Sequence, residues 1–253
     1  MRAFFLGLLL ARLCNLKWVC ARNFIILLKR IKQHQVSKNN KKRILVLEGH
    51  DLFYSALFST LAANSNCQVY SHTSIGLNSA IGNSFKANFN RKYLVYIKDF
   101  FWSKIYSLNM ERVRVPFGNI SKYTAEARDI FYKFKQCPDK SNFIIDDIVV
   151  GDLVIDSYVR FRPSPVIDYE DTFFIEIFKY LLMSQERFKR VIKLTKPHEV
   201  VSSYTVYIEY GIPVRMALKL GLEVKSFGSD HAAGQTLTKN WPYHAPNVKD
   251  GYS

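Results

Sequence analysis

Continuous apolar runs alternate with amphipathic segments through most of the chain. The run RILVLEGH starts at Arg43 and leads to Gly49, and such an uninterrupted apolar run is typical of a strand buried in a parallel sheet. DLFYSALFSTLAANS follows with helical periodicity, and Asp51 is a suitable N-cap. CQVYSHT, residues 67–73, predicts a second strand. Strand, glycine turn, helix and strand form a βαβ unit, which predicts an α/β fold with a parallel sheet.

The middle of the chain predicts helices more clearly than strands. TAEARDIFYKFKQC has helical periodicity and stops at Pro138. DTFFIEIFKYLLMSQERFKRVIKLTK predicts a long helix that Asp171 or Thr172 caps and Pro197 ends. NFIIDDIVVGDLVIDSYVRF predicts a short strand, a turn at Gly151 and a second segment. KYLVYIKDFFW fits either a strand or a helix.

A second βαβ unit is predicted near the carboxyl end. HEVVSS, residues 198–203, predicts a strand, and EVKSFG predicts the next one. Between them IPVRMALKLG predicts a helix with Pro213 in its first turn and Gly221 just past its end, the usual placement of these two residue types. The polar run QHQVSKNNKK, residues 33–42, predicts a linker, so the α/β domain is expected to span residues 43–253.

The first 32 residues predict an amphipathic helix and not a membrane span. Arg12, Lys17 and Arg22 interrupt the apolar sequence, so its longest stretch is shorter than the roughly 20 residues that a bilayer span needs. At 100° per residue most polar side chains fall on one arc of the helix and most apolar side chains fall opposite. Such a helix suits an anionic membrane surface. The alternative is an ordinary amphipathic helix that packs on its own domain.

Charge narrows the class of partner. Of the 253 residues 36 are Lys or Arg and 21 are Asp or Glu, which gives a formal net charge of +15. This balance favours nucleic acid, an anionic membrane surface or a phosphate-bearing substrate. Much of the positive charge lies between Arg12 and Arg43, beside the most apolar sequence, and no nucleic-acid module is recognisable, so a membrane surface is favoured. The four cysteines form neither a CxxC pair nor a zinc pattern and predict free thiols in a reducing compartment.

Two pairs of polar residues follow predicted strands, at the ends where ligands bind in open α/β sheets. His50 and Asp51 follow the first strand, and His50 is a candidate general base because the pKa of histidine lies near neutrality. The alternative is a capping aspartate beside a surface histidine. Asp230 and His231 follow the last strand and form a candidate acid/base pair. No His or Cys lies at metal-ligand spacing from them, so no metal site is predicted.

The segment GDLVIDSYVRFRPSP places two carboxylates, Asp152 and Asp156, shortly before Arg160 and Arg162. In the functional interpretation an arginine binds an acidic sugar or a phosphate. In the structural alternative the segment is a helix, and Asp156 and Arg160 form an ordinary i,i+4 ion pair.

A third candidate is the segment SSYTVYIEYG. Tyr204, Tyr207 and Tyr210 recur every three residues after a strand end, and Ser203 lies at the turn. Aromatic faces with hydroxyl tips suit sugar rings, and Arg215, in the following helix, could bind phosphate. A purely structural tyrosine stripe is the alternative.

GDLVIDSYVRF, the long helix after it and SSYTVYIEYGIPVRMALKLG together resemble a group of bacterial surface- and capsule-polysaccharide biosynthesis proteins, glycosyltransferases of the GT-B type. That group has a GDLIYDxYLR-like segment before a strand–helix unit of the type SHxxYxxYGIxxRxAxxxG. The resemblance covers about residues 43–227. The matching positions are Gly151, Asp152, Asp156, Tyr158, Arg160, Ser203, Tyr207, Tyr210, Gly211, Arg215, Ala217 and Gly221.

The resemblance implies a Rossmann-like parallel sheet flanked by helices, the acceptor-side half of a GT-B enzyme at the cytoplasmic side of the inner membrane. Such an enzyme transfers a sugar from a nucleotide-sugar donor to a lipid-linked glycan acceptor, without a further cofactor. A base at His50, Asp51 or Asp152 would take the acceptor proton, while Arg215 or Arg160 would steady phosphate charge. Further substrate contacts are expected from Asp156, Tyr158, Ser203, Tyr207, Tyr210, Asp230 and His231.

The sequence also departs from that group. A complete GT-B enzyme has two such domains, and the donor-binding one, with its glycine-rich phosphate loop, is not visible after the second βαβ unit. Two hypotheses follow: the chain is the amino-terminal part of a glycosyltransferase, or it is a truncated, non-catalytic binding module at the membrane. A basic nucleic-acid binder is the third and least favoured class.

Overall fold

The structure is a computed structural model and describes residues 42–47, 67–72, 77–81, 111–113, 115–116, 118–226 and 235–243. The predicted amphipathic helix, the linker up to residue 41, the helix predicted after the first strand and the segment KYLVYIKDFFW lie outside these ranges. The strands are β1 Lys42–Val46, β2 Cys67–Ser71, β3 Glu111–Arg112, β4 Ile144–Ile145, β5 Ile148–Val149, β6 Glu199–Ser202, β7 Glu223–Ser226 and β8 Gln235–Thr236. The helices are α1 Leu77–Ile81, α2 Thr124–Gln136, α3 Gly151–Phe161, α4 Phe173–Thr195 and α5 Tyr207–Lys219, with a 3₁₀ turn at Ile120–Tyr123.

Six of the described strands form one sheet in the order β3-β2-β1-β6-β7-β8. The first five are parallel, and β8 runs antiparallel to β7. From β1 the chain adds β2 and β3 on one side of the sheet. It then places β6 on the other side of β1, and β7 and β8 follow on that side. This change of direction is a topological switch point, where open α/β sheets bind their ligands. The predicted α/β class, with a mostly parallel sheet flanked by helices, is confirmed.

The two faces of the sheet bury different residues. Leu45, Val200 and Val224 belong to the main core, together with the buried side chains of α4 and α5. Val46 and Val201, one position further along their strands, belong to a smaller cluster on the other face. Burial on both faces explains why these strands are continuous apolar runs in the sequence.

Helix α4 is the centre of the main core. Its apolar side chains recur at helical spacing, and Phe174, Phe178 and Leu181 are fully buried against its neighbours. The ring of Phe134 from α2 lies 5.3 Å from that of Phe174 and 5.5 Å from that of Phe178. Burial of one such side chain contributes about 1.5–3 kcal/mol, so this aromatic cluster accounts for much of the stability of the helical layer.

Helix α3 begins where the sequence analysis placed a turn. Gly151 is its first residue, and a Cβ there would lie 2.8 Å from the backbone nitrogen of Phe143, so only glycine fits. The segment before it is a short hairpin of β4 and β5. The second segment of NFIIDDIVVGDLVIDSYVRF is thus helical.

Helix α5 starts earlier than predicted. It begins at Tyr207, and Pro213 therefore lies in its second turn and not in its first. The backbone N–H of Ile208 donates to the Ser157 hydroxyl of α3, 3.2 Å away. A side chain from another helix thus caps the first turn of α5, which local sequence signals do not reveal.

Candidate functional site

The strands at the switch point end in buried polar side chains. Val46 of β1 pairs with Ser71 of β2 and with Val201 of β6. His72 and Ser202 are the next residues along these two chain segments, and Ser202 pairs with Ser226 of β7. Paired residues of parallel strands point to the same face, so His72, Ser202 and Ser226 form one row across the carboxyl edge of the sheet. We call these three residues the carboxyl-edge row. All three are buried.

Two members of the row carry polar atoms without a partner. Among the described residues, neither Nδ1 of His72 nor the hydroxyl of Ser226 has a hydrogen bond. Buried polar atoms of this kind are rare and need a specific reason, such as a bound water, an ion or a ligand. The carboxyl-edge row therefore has unused hydrogen-bonding capacity at the place where this class of sheet binds ligands.

A buried cation lies close enough to His72 to influence its charge state. Burial, and after it the positive charge of Arg187 on α4, lower the pKa of His72 to about 3. Burial also lowers the pKa of Arg187 to about 10. At neutral pH the imidazole is therefore neutral and the guanidinium charged.

The turn from β6 into α5 holds a strained tyrosine. Tyr207 has a φ of 62°, in the left-handed region that side chains other than glycine rarely adopt. The Arg160 guanidinium lies 4.4 Å from the centroid of the Tyr207 ring. Backbone strain of this kind concentrates at functional sites, where the surrounding structure maintains it.

A buried carboxylate holds the Arg160 guanidinium in place. Its Nη1 lies 2.8 Å from Oε1 of Glu209, whose side chain is only 3% exposed, while the Arg160 side chain is 43% exposed. Burial raises the pKa of Glu209, and the charge of Arg160 opposes that shift. The guanidinium is thus fixed beside the first turn of α5, which follows the carboxyl end of β6, and part of its surface is open to solvent.

The other tyrosines of the same segment lie nearby. The rings of Tyr204 and Tyr210 are 5.8 Å apart, and Tyr204 is exposed. Ser203 is buried at the turn. The structure therefore brings Ser203, Tyr207, Tyr210 and Arg160 together around one end of α5.

Asp152 and Arg215 meet at the other end of the helix pair. Arg215 Nη1 lies 2.6 Å from Oδ1 of Asp152 and 2.6 Å from the Val149 carbonyl, and Nη2 lies 2.5 Å from Oδ2. The Tyr243 hydroxyl donates to the same Oδ2 at 2.9 Å. Both oxygens of Asp152 already accept hydrogen bonds, and Arg215 is eight residues beyond Tyr207, or about 12 Å along the helix. This ion pair is separate from the carboxyl edge.

Asp156 and Tyr158, on the same helix, have different surroundings. Asp156 is exposed and makes no hydrogen bond among the described residues; partial burial raises its pKa, and the charge of Asp152 adds to the shift. Tyr158 is 4% exposed, stacks on Phe174 with centroids 4.3 Å apart, and donates to Asp171. Its ring belongs to the core and presents no face to a substrate.

His50, Asp51, Asp230 and His231 lie outside the described residues, so their roles stay predictions. Sequence reasoning missed Glu209, His72 and Arg187. Glu209 lies inside the candidate segment SSYTVYIEYG, and His72 lies near the end of the strand predicted over residues 67–73. Arg187 gave no signal, because one arginine in a long amphipathic helix is ordinarily a surface residue.

Comparison with known proteins found no protein-family model, no curated protein and no solved structure that matches this chain. Within the described ranges, none of the helices is both long enough and apolar enough to cross a membrane.

Proposed function

We propose that the chain is a glycosyltransferase-like domain of surface-polysaccharide assembly that binds a phosphate-bearing sugar substrate at the carboxyl edge of its sheet. The observation that carries the proposal is the carboxyl-edge row at the switch point, with its unpartnered buried polar atoms and the adjacent Arg187. In this proposal the domain is the acceptor-side half of a GT-B enzyme. The donor is a nucleotide sugar and the acceptor a lipid-linked glycan.

The side chains around the exposed Arg160 guanidinium are chemically suited to an anionic sugar. Among the described residues, Arg160 donates only through Nη1, to Glu209, so other N–H donors of its guanidinium remain for phosphate oxygens. Tyr204 and Tyr210, three residues before and after Tyr207, have neighbouring rings with hydroxyl tips, which suits a sugar. His50 and Asp51, which follow β1 in the sequence, are the proposed base for the acceptor proton.

Asp152 and Arg215 have a positioning role in this proposal. They hold α3 against α5, and this contact fixes Arg160, at the opposite end of α3, above Tyr207. The amphipathic helix of residues 1–32 would bring the domain to the anionic cytoplasmic surface of the membrane, where lipid-linked acceptors lie.

The non-catalytic binding module remains the second candidate, and one observation favours it. Asp152, the only proposed base within the described residues, has both carboxylate oxygens engaged by Arg215 and Tyr243. An engaged carboxylate is a poor proton acceptor. Under this candidate the carboxyl edge binds the sugar substrate but transfers nothing.

Isothermal titration of the full chain with UDP-glucose, GDP-mannose and a short-chain prenyl diphosphate sugar tests binding. Arg160→Ala is expected to weaken binding about tenfold, as loss of one charged hydrogen bond does. Arg128→Ala, which removes another exposed arginine, is the matched control and is expected to bind like the wild type. If none of the three ligands binds, or if both variants bind equally, the proposal is wrong.

Transfer distinguishes the two candidates. The wild type, incubated with a nucleotide sugar and the prenyl diphosphate sugar as acceptor, is expected to form the extended glycan when a donor-binding domain is supplied. Binding that depends on Arg160, without transfer under these conditions, would favour the non-catalytic module.

A further inference from the structure

A cavity lies away from the carboxyl edge. It has a volume of about 500 Å³ and lies between the β4–β5 hairpin, the carboxyl-terminal half of α5 and residues 239–243. Lys219, on its wall, is twelve residues beyond Tyr207, which is about 18 Å along a helix. The volume is in the usual range for sites of small organic ligands.

The hairpin wall of this cavity is held in place by α5. Asp146 and Asp147 form the two-residue turn with φ values of 49° and 55°, as a type I′ turn requires. Lys219 Nζ lies 2.5 Å from the Asp146 carbonyl and 3.2 Å from Oδ2 of Asp147. A side chain of α5 thus fixes the turn, and the cavity has a shaped wall.

The cavity wall contains an unused buried donor. Arg215 lines the cavity and is 6% exposed, and its Nε has no hydrogen-bond partner among the described residues. Its two terminal nitrogens are occupied by Asp152 and the Val149 carbonyl. A buried donor without a partner costs about 1–3 kcal/mol, so a ligand oxygen at Nε would recover that free energy.

The rim supplies a cation, and the floor supplies apolar surface. Lys239 lines the cavity and forms no ion pair within the described part of the chain. Asn240 beside it offers an amide, and Leu218, Pro242 and the Tyr243 ring provide apolar contacts. Donors on one side and a ring with apolar carbons on the other match an anionic sugar, which has an acidic group and C–H faces.

We propose that this cavity binds an anionic monosaccharide, with its carboxylate or phosphate at Arg215 Nε and Lys239 Nζ and its ring against Pro242 and Tyr243. The inference does not rest on the proposed function, because none of these residues belongs to the carboxyl edge. It adds a second binding site to the chain.

Titration of the full chain with glucuronate, glucose 1-phosphate and glucose tests the site. At least one of the two anions is expected to bind, and neutral glucose is expected to bind at least about tenfold more weakly. If only glucuronate binds, the site recognises a carboxylate. If only glucose 1-phosphate binds, the site recognises a phosphate. If both bind, the site selects negative charge. The inference fails if neither anion binds or if glucose binds equally well.

Surface variants locate the binding. Lys239→Ala is expected to weaken anion binding about tenfold, and Asn240→Asp to weaken it at least as much by repulsion. Both residues are exposed, so folding is expected to be unaffected, and Lys193→Ala on the exposed side of α4 is the matched control. Arg160→Ala is expected to leave the part of the binding that depends on Lys239 unchanged. If no part of the anion binding is lost in Lys239→Ala, or if all of it is lost in Arg160→Ala, the ligand lies elsewhere and the inference is wrong.

Discussion

Asp152 and Arg215, 63 residues apart in sequence, form a two-point ion pair with N–O distances of 2.6 and 2.5 Å. Arg160 and Glu209 form a second pair, at the other end of the same two helices. α3 and α5 therefore run antiparallel and are joined by charge pairs at both ends. Most of the charged side chains that distinguish the sequence segments of α3 and α5 therefore form ion pairs with one another.

Removal of one member of the first pair is expected to destabilise the fold. Asp152→Ala leaves the Arg215 guanidinium buried without a counter-charge, which typically costs about 3 kcal/mol. Urea unfolding measures the loss. Asp129→Ala, which removes an exposed carboxylate of α2, is expected to change stability by less than about 0.5 kcal/mol.

A double-mutant cycle with Arg215→Met separates the ion pair from the other contacts. The double variant is expected to lose less than the sum of the single losses, by about 1–3 kcal/mol. Strict additivity would show that the two side chains contribute independently and that the pair does not hold the helices together.

The strands and helices that the sequence predicts correctly are those whose signals lie within the segment itself. The apolar runs around Leu45 and Val200 predict buried parallel strands, because each residue of such a strand meets a core on one face or the other. The helix at Thr124–Gln136 follows from periodicity and from a proline just after it. These signals need no knowledge of the rest of the chain.

The charge pairs were not predictable in the same way. Arg160 has Asp156 at i−4 on its own helix but pairs with Glu209, 49 residues later. Asp156 is exposed to solvent, whereas Glu209 is buried and needs a cation. Only the packing of α3 on α5 decides which carboxylate is buried, and the sequence within either helix does not contain that information.

Gly211 is expected to resist replacement, although it lies inside a helix. Alanine in place of glycine in a helix usually stabilises by about 0.5–1 kcal/mol. A Cβ at Gly211, however, would lie 2.6 Å from the Thr205 carbonyl oxygen and would also meet the Leu153 side chain of α3. Overpacking of this kind costs about 1–3 kcal/mol, so Gly211→Ala is expected to destabilise overall.

Thermal and urea unfolding of Gly211→Ala check this result. Gly118→Ala is the control, since a Cβ there would have no atom of the described residues within 4 Å. It is expected to be neutral or slightly stabilising. Equal behaviour of the two variants would contradict the close approach of α3 and α5.

The strain at Tyr207 predicts an ordered series of substitutions. Asparagine tolerates positive φ, so Tyr207→Asn is expected to offset the lost contact with Arg160, worth about 0.5–1 kcal/mol, by relief of strain. A β-branched residue tolerates this conformation poorly, so Tyr207→Val is expected to be less stable than Tyr207→Asn by about 1–2 kcal/mol. Urea unfolding measures both. The reverse order would indicate that Tyr207 is held by side-chain packing and not by backbone strain.

His72 is expected to make the fold sensitive to mild acid. Its pKa is about 3 in the folded protein and near 6.5 when unfolded, because burial and then Arg187 disfavour the charged imidazole. Between these values the unfolded chain binds more protons, so stability is complete above pH 6.5 and falls as the pH falls, by up to about 1.4 kcal/mol per pH unit. Glu186, whose pKa is lowered to about 2, adds a loss of the same sign only below about pH 4.5.

Unfolding free energies at pH 7.5 and pH 5 isolate the histidine, because the pH 5 measurement stays above the range in which Glu186 contributes. The wild type is expected to lose about 2 kcal/mol more than His72→Asn over this interval, since asparagine does not titrate. Asp156 and Glu209, whose pKa values are raised, contribute equally to both proteins and cancel in the difference. Ser226→Ala disturbs the same carboxyl-edge row but keeps the histidine, so it is expected to retain the wild-type pH dependence. If His72→Asn instead retains it too, the imidazole is accessible to water and the carboxyl-edge row is open in solution.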